Sequence, residues 1–360
     1  MNGRVTMADV AQRAGVHVTT VSMALRNHAS LPTTTRQRIK DLADKMGYRP
    51  DPALSALVAY RSQALRRKQL APLAYLTHWH SKWGWKEAPA HARFFEGATA
   101  KAAQLGYRLD HFWLGEENLS HERMSEILVA RGITGVVVAS HLPASDVPLA
   151  LDWHQFSGVR IDYYPHEPAL HTVTNDHRNV MQLTVRHAMA AGYRRIGFVL
   201  PRWWDDFSDR AWSAGFLGEQ QMLDPADRIP ILFFPGGDDS NAAAWAEREF
   251  VVPSRPFAEW MRRHRPEVLV SRSHFVFPRL EELGLSVPRD IAFVEIFLEP
   301  DGRTAGVRHN CARVGELAVE ILAGKLTQNA LGVPAFPTTT LVEGTWFDGK
   351  SLPGRAAARV

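Results

Sequence analysis

Residues 5–46 read VTMADVAQRAGVHVTTVSMALRNHASLPTTTRQRIKDLADKM, and their spacing decides how the amino end folds. Thr6 carries the hydroxyl of a helix cap, after which Val10, Ala11 and Ala14 fall on one side of a first helix. Gly15 permits a tight turn with no Cβ clash. From Val18 the run TTVSMAL begins a second short helix in which Val21 and Leu25 are spaced to pack inward, while Thr19 and Met23 lie on another face. A third helix is expected from about Thr33 to Met46, with Ile39, Leu42, Ala43 and Met46 as its seam, Pro32 at its entrance and Gly47 at its end. Three short helices bury a small common core and leave the second projecting, the arrangement of a helix-turn-helix reader. A trihelical module that only packs is the alternative.

Charge separates this end from the rest. Residues 1–70 contain 12 Lys/Arg against 4 Asp/Glu, whereas the remaining 290 residues contain 30 against 34. The basic end suits a polyanion, with salt-sensitive binding; a merely solubilising surface is the other reading. At 360 residues and 45% hydrophobic composition, the chain is long enough for more than one domain. It has no run of 18 apolar residues to cross a membrane and no secretory-type stretch in its first twenty residues. Cys311 is the single cysteine, so no internal disulfide forms, and a cytoplasmic location is expected.

The next stretch, GYRPDPALSALVAYRS at 47–62, holds Pro50 and Pro52 to end one helix and Asp51 to cap another. The apolar helix that follows is too short to be stable alone. Its burial would come from a second copy, from DNA, or from a place between domains. Beyond Leu70 the pattern alternates strand and helix: LAPLAYLTH, a helix with Phe94, Phe95, Ala98, Ala102 and Leu105, then GYRLDHF and GITGVVVAS. It restarts after 173–176, with later strands at PEVLVS and DIAFVEI and a helix around RVGELAVEILAGKL. This predicts an α/β core of two similar subdomains with parallel sheets, and a ligand cleft at their facing strand ends.

The stretch VTMADVAQRAGVHVTTVSMALRNHASLPTTTRQRIKDLADKMGYRPD resembles the LacI family of bacterial transcription regulators, and the resemblance continues through RFFEGATAKAAQLGY, the TND at 174–176, HAMAAGYRRIGFV, ELGLSVPRDIAFV and VGELAVEIL. It covers about residues 5–346 and implies four parts: a helix-turn-helix headpiece at 1–50, a hinge helix and linker at 51–70, a periplasmic-binding-protein-like effector and dimerisation core at 71–346, and a tail at 347–360. Within the core it places 71–173 and 303–331 in one subdomain, and 174–302 and 332–346 in the other. The partners it implies are double-stranded operator DNA, a second copy of the chain and a small effector, expected to be a carbohydrate. The implied activity is transcription regulation, with repression the expected sign.

Carried over by position, Val18, Thr19 and Met23 read bases, whereas Thr6, His17, Thr20, Ser22, Arg26, Thr35 and Arg36 contact the DNA backbone. Leu57 is the minor-groove wedge of the hinge. Many relatives have arginine where Met23 stands. The effector pocket also departs from the family: Trp212 replaces the usual clamping arginine, Ser271 and Arg272 replace an asparagine-aspartate, and Phe297 and Leu298 replace an acidic pair. The expected cleft residues are instead Trp79, Trp83 and Trp85 in THWHSKWGW, Asp176, and Trp203, Trp204, Asp205, Arg210 and Trp212 in and after PRWWDDF. Both motifs are expected as loops after strands. His78 and His80 offer only His-x-His, so neither a metal nor a cofactor is expected. Without a G-x-S-x-G elbow, phosphate loop or H-E-x-x-H motif, an enzyme is not expected either. A soluble carbohydrate-binding protein without specific DNA binding is the alternative.

Overall fold

A computed structural model describes residues 5–25, 31–48, 70–142, 146–235, 251–299 and 301–355. The chain divides into two compact units, residues 1–71 with 325–330, and residues 72–324 with 331–360.

In the first unit, α1 (Met7–Ala14) starts in a capping box: Asp9 N–H donates to Thr6 Oγ1 at 3.3 Å, and Thr6 N–H donates to the Asp9 carboxylate at 2.7 Å. Gly15 ends it in the left-handed region at φ 67°, as the tight turn requires. α2 (Val18–Leu25) and α3 (Thr33–Lys45) follow. Val10, Ala11, Val21, Ala24, Ile39 and Ala43 form the buried centre, with Leu25 and Met46 packed around its margin. Within α2, Val21 and Ala24 are fully buried, and Leu25 packs against them partly buried.

Among the described residues, the second unit contains two six-stranded sheets. The first joins β11 (Thr339–Val342), β5 (His171–Asn175), β4 (Ser157–Ile161), β3 (Gly135–His141), β1 (Ala71–His78) and β2 (Tyr107–Trp113) in that order. The second joins β12 (Thr345–Phe347), β10 (Ala305–Arg308), β9 (Ala292–Glu295), β8 (Val268–Ser271), β6 (Ile196–Pro201) and β7 (Leu232–Phe234). β1 pairs parallel with β3, and β6 with β8, whereas β12 is an antiparallel edge on β10. β3, GVVVASH, is buried along its whole length, as a strand covered on both faces must be. Among the helices, α4 (Pro89–Gln104), α5 (His121–Ala130) and α11 (Cys311–Thr327) accompany the first sheet. α6 (His177–Ala190), α7 (Arg202–Phe207), α8 (Ala211–Gln220), α9 (Ser254–His264) and α10 (Ser273–Glu282) accompany the second. No described helix is long and apolar enough to cross a membrane.

Three expectations are corrected. Residues 305–308 lie in the second sheet, where Ala305 pairs with Val294, while 339–342 lie in the first, where Thr339 pairs with Thr172. The chain thus crosses between subdomains later on both occasions than the resemblance implied. The run PRWWDDF is not a loop, because Arg202–Phe207 is helical immediately after β6. The stretch expected as a tail is stitched in as far as residue 355: Ser351 Oγ donates to the Phe293 carbonyl and accepts from Ala305 N–H, both at 2.8 Å, and Tyr193 Oη donates to the Pro353 carbonyl at 2.8 Å.

The crossings lie at 175–177, 309–311 and 342–345, each leaving the carboxyl end of a strand, so these ends of the two sheets face each other. Asp176 N–H donates to the Val342 carbonyl at 2.8 Å, and Asn310 Nδ2 donates to the Glu343 carbonyl at 2.8 Å, tying the crossings together. Arg93 on α4 pairs with Glu299 beyond β9 at 2.8 Å, and the Tyr164 ring lies 5.2 Å from that of Phe207, so both subdomains also touch across the cleft.

Candidate nucleic-acid interface and ligand cleft

On the first unit, α2 turns Val21 and Ala24 inward and leaves Val18 37% exposed, with Thr19 exposed and Met23 partly exposed. His17 Nδ1 accepts from Thr19 N–H at 3.4 Å and lies 2.9 Å from Thr19 Oγ1. A nitrogen that accepts the amide carries no proton, so the hydroxyl donates to it and the oxygen keeps its lone pairs. His17 thus caps α2 and orients Thr19. Thr6 is exposed but its hydroxyl serves the capping box; Thr20, Ser22, Thr35 and Arg36 are partly exposed, with Arg36 Nη2 donating to Thr33 Oγ1 at 3.0 Å. Arg26 and Leu57 lie outside the described residues.

The aromatic residues after β1 divide. Trp79 and Trp85 are buried with Leu142, Trp85 completely, and Trp85 Nε1 donates to the Lys82 carbonyl at 3.1 Å. They are core of the first subdomain. Trp83 is 47% exposed, with the His111 ring 4.4 Å away and the Lys86 ammonium 4.2 Å over its face.

At the second sheet, Asp205 is buried and organises the turn between α7 and α8: its carbonyl accepts from Arg210 N–H at 2.7 Å and its Oδ1 from Ser213 N–H at 2.9 Å. The Arg210 side chain is 78% exposed and pairs with Asp206 at 3.7 Å. Asp176 caps α6 by accepting from Asn179 N–H at 2.9 Å. Trp203 is partly buried, its ring 5.8 Å from that of Trp204, which in turn lies edge-on to Phe275 at 5.3 Å.

The structure brings Trp212 and Trp204 to a cluster that sequence reading did not assemble. The His177 ring stacks on Trp212 at 4.4 Å, His309 follows at 5.4 Å, and Phe297 stacks on His309 at 4.3 Å. The two histidines lie on different crossings, 132 positions apart in the chain, so no local spacing announces them. The Arg272 guanidinium stands 5.1 Å from the Phe297 ring centre and 5.8 Å from that of Trp204. Burial pushes the His309 imidazole down to about 4 and holds His177 well below the ordinary range, so both are neutral near pH 7. On the facing sheet Asp162 follows β4, accepts from Thr174 Oγ1 at 2.8 Å, and is raised by burial to about 6. Its position at a strand end is the signal that could have found it. Among the described residues no group of three His, Cys, Asp or Glu is placed to hold a metal ion.

Comparison with known proteins agrees with both parts. The pattern of the family described as bacterial regulatory proteins, lacI family, matches residues 6–51, and that of a periplasmic binding protein-like domain matches residues 185–351. An HTH-type transcriptional regulator of Mycolicibacterium smegmatis is 27% identical over 242 residues, 67% of this chain and 63% of that protein. The sucrose operon repressor of Escherichia coli is 28% identical over 255 residues, 65% of this chain and 72% of that one. Matches to two further regulators span 53% of the relatives' own length. In fold, the chain is similar to the lac repressor dimer bound to operator and the anti-inducer ONPF, with a TM-score of 0.55, 18% identity, and coverage of 98% of this chain and 100% of that one.

Proposed function

Since the chain belongs to the LacI family of bacterial regulatory proteins, we propose that it is a homodimeric, sequence-specific DNA-binding transcription regulator, a repressor, controlled by a carbohydrate in the cleft between its two sheets. The observation that carries the reading is the division of labour on α2: Val21 and Ala24 fill the core, and Val18, Thr19 and Met23 are turned to the surface. A short helix whose packing is satisfied from one side presents the other to the major groove. Thr19 offers a base edge its hydroxyl lone pairs, and Val18 and Met23 offer apolar contact to a thymine methyl. Thr6, His17, Thr20, Ser22, Arg26, Thr35 and Arg36 position the headpiece on phosphates, and Leu57 wedges the minor groove in the hinge.

A second copy has apolar surface to cover on the second subdomain: Leu217 and Met222 at and beyond the end of α8, and Phe277 on α10, are exposed. The carbohydrate class is supported by the sucrose operon repressor's likeness and by the aromatic lining of the cleft. Ligand acts by favouring one arrangement of the subdomains, and it shifts DNA affinity only as far as its affinities for the two arrangements differ.

The test is selection of binding sites from a randomised duplex pool, with and without a carbohydrate panel. Enrichment of a two-half-site sequence, modulated by one compound, is expected. Closure on a sugar with no enriched sequence under any condition would point instead to a carbohydrate-binding protein without specific DNA recognition.

A further inference from the structure

We infer that the ligand this cleft receives is an anionic carbohydrate, a sugar bearing a carboxylate or phosphate, held by the Arg272 guanidinium. The inference rests on the carbohydrate reading above and narrows it. Arg272 directly follows β8, whose neighbours in the sheet are β9 and β6, so it stands over the carboxyl edge facing the other subdomain. Its side chain is only 24% exposed, lying between the Trp204 and Phe297 rings.

The local acids do not complete it. Glu295 Oε1 forms an ion pair with Arg272 Nε at 3.6 Å, beyond hydrogen-bond distance, so that buried Nε–H is left with no hydrogen-bond partner. The Glu295 carboxylate is instead fixed by backbone, accepting from Ser273 N–H at 2.8 Å and Phe297 N–H at 3.2 Å. Glu299, the next acid, is engaged by Arg93 at 2.8 Å. The neighbouring His274 and His309 rings are each held by burial at about 4 and bring no charge near neutrality.

An arginine keeps its charge at any physiological pH, and withdrawing it from water with so little hydrogen bonding is unfavourable. The missing partner is an oxyanion, which the planar fork receives on two parallel bonds while the flanking rings hold its plane. A second unsatisfied group adds the sugar. His309 Nε2 donates to the Ile296 carbonyl at 2.9 Å, so its Nδ1 is an acceptor, and in this residue, 3% exposed, Nδ1 has no partner. An oxyanion site beside a buried acceptor suits a hydroxyl-bearing anion better than an inorganic ion or a neutral sugar.

Titration calorimetry on the full chain tests this with four probe sets: neutral hexoses, the corresponding aldonates and uronates, the hexose phosphates, and carboxylates lacking hydroxyls. An anionic sugar is expected to bind at least about tenfold more tightly than its neutral parent. The carboxylate and phosphate arms identify which oxyanion it carries. Arg272→Gln should abolish that preference, and Arg272→Lys should retain part of it, with thermal melts verifying that each variant is folded. If Arg272 serves only as a fold partner of Glu295, Arg272→Gln will lower the melting temperature and leave the preference intact, which overturns the inference. Neutral sugars binding as tightly as anionic ones also overturn it, but leave the carbohydrate reading standing. Tight binding of carboxylates without hydroxyls supports the Arg272 site and sinks the carbohydrate reading. Binding of no probe overturns both.

Discussion

At position 162, just beyond β4, a carboxyl is carried out of water; the Thr174 hydroxyl donates to it at 2.8 Å and the Arg160 charge attracts it, yet burial still raises it from 3.8 to about 6. Between those pH values the unfolded carboxyl ionises while the folded one keeps its proton. Stability therefore falls as pH rises through this window, and the loss persists above it. Asp162→Asn removes the penalty and keeps an acceptor for Thr174. Urea midpoints should place the variant above the wild type beyond pH 6, by up to about 3 kcal/mol, with the two converging below pH 4; equal midpoints throughout would refute a buried acid whose desolvation outweighs its partners. Met23 carries a different expectation. Met23→Arg should shift site selection toward guanine at one position in each half-site, and an unchanged profile would remove Met23 from the base-reading set. These two residues mark what was legible: Met23 follows from helical spacing and resemblance, whereas the burial of Asp162 depends on strands brought together from distant parts of the chain. Trp85 is the opposite case, since an aromatic residue just after a strand reads equally well as cleft lining or core, and only the seat against Leu142 and Phe95 decides for core.

Helices α4 and α11 cross with their backbones in contact. A Cβ on Gly97 would fall 1.9 Å from the Ala312 carbonyl oxygen, and one on Gly315 would fall 1.9 Å from that of Phe94. Two glycines in helices otherwise weaken them, so their place here is explained by this crossing. Gly315→Ala must force the pair apart, and a loss of about 1–3 kcal/mol in a denaturant titration is expected. An equal substitution at Gly324, where an added Cβ meets nothing, is the control and should be nearly silent. The elements themselves were readable in advance: the predicted strands LAPLAYLTH and GYRLDHF correspond to β1 and β2, and the helix around RVGELAVEIL corresponds to α11. What spacing could not provide was their assignment to a subdomain, because β10 and β11 are short strands whose partners lie at 294 and 172. The helical turn after β6 was hidden for another reason: RWWDDF has aromatic bulk and no apolar periodicity, and its structure depends on the Asp205 hydrogen bonds that close it onto α8.

Over the whole molecule the buried imidazoles set the response to acid. Burial pushes His91 and His309 down to about 4 and His141 to about 3, from 6.5 in the unfolded chain. Below pH 6.5 the unfolded chain takes up protons that the folded one refuses, so these groups withdraw stability as pH falls toward 4. Asp162 acts in the opposite sense over nearly the same range. The urea midpoint of the wild type should therefore fall on acidification, and that of Asp162→Asn should fall more steeply; parallel curves would contradict the opposed pair. The concentration of positive charge in residues 1–70 further predicts that operator affinity declines with salt in a linear log–log plot, while ligand affinity in the cleft responds far less. The three crossings also impose an order on biosynthesis. β5 lacks its outer neighbour until residues 339–342 have been made, and β10 lacks its own until 345–347. Neither subdomain is a finished body before then: both sheets wait, open at one edge, for the single short segment 339–347, and are closed almost together once it has been made.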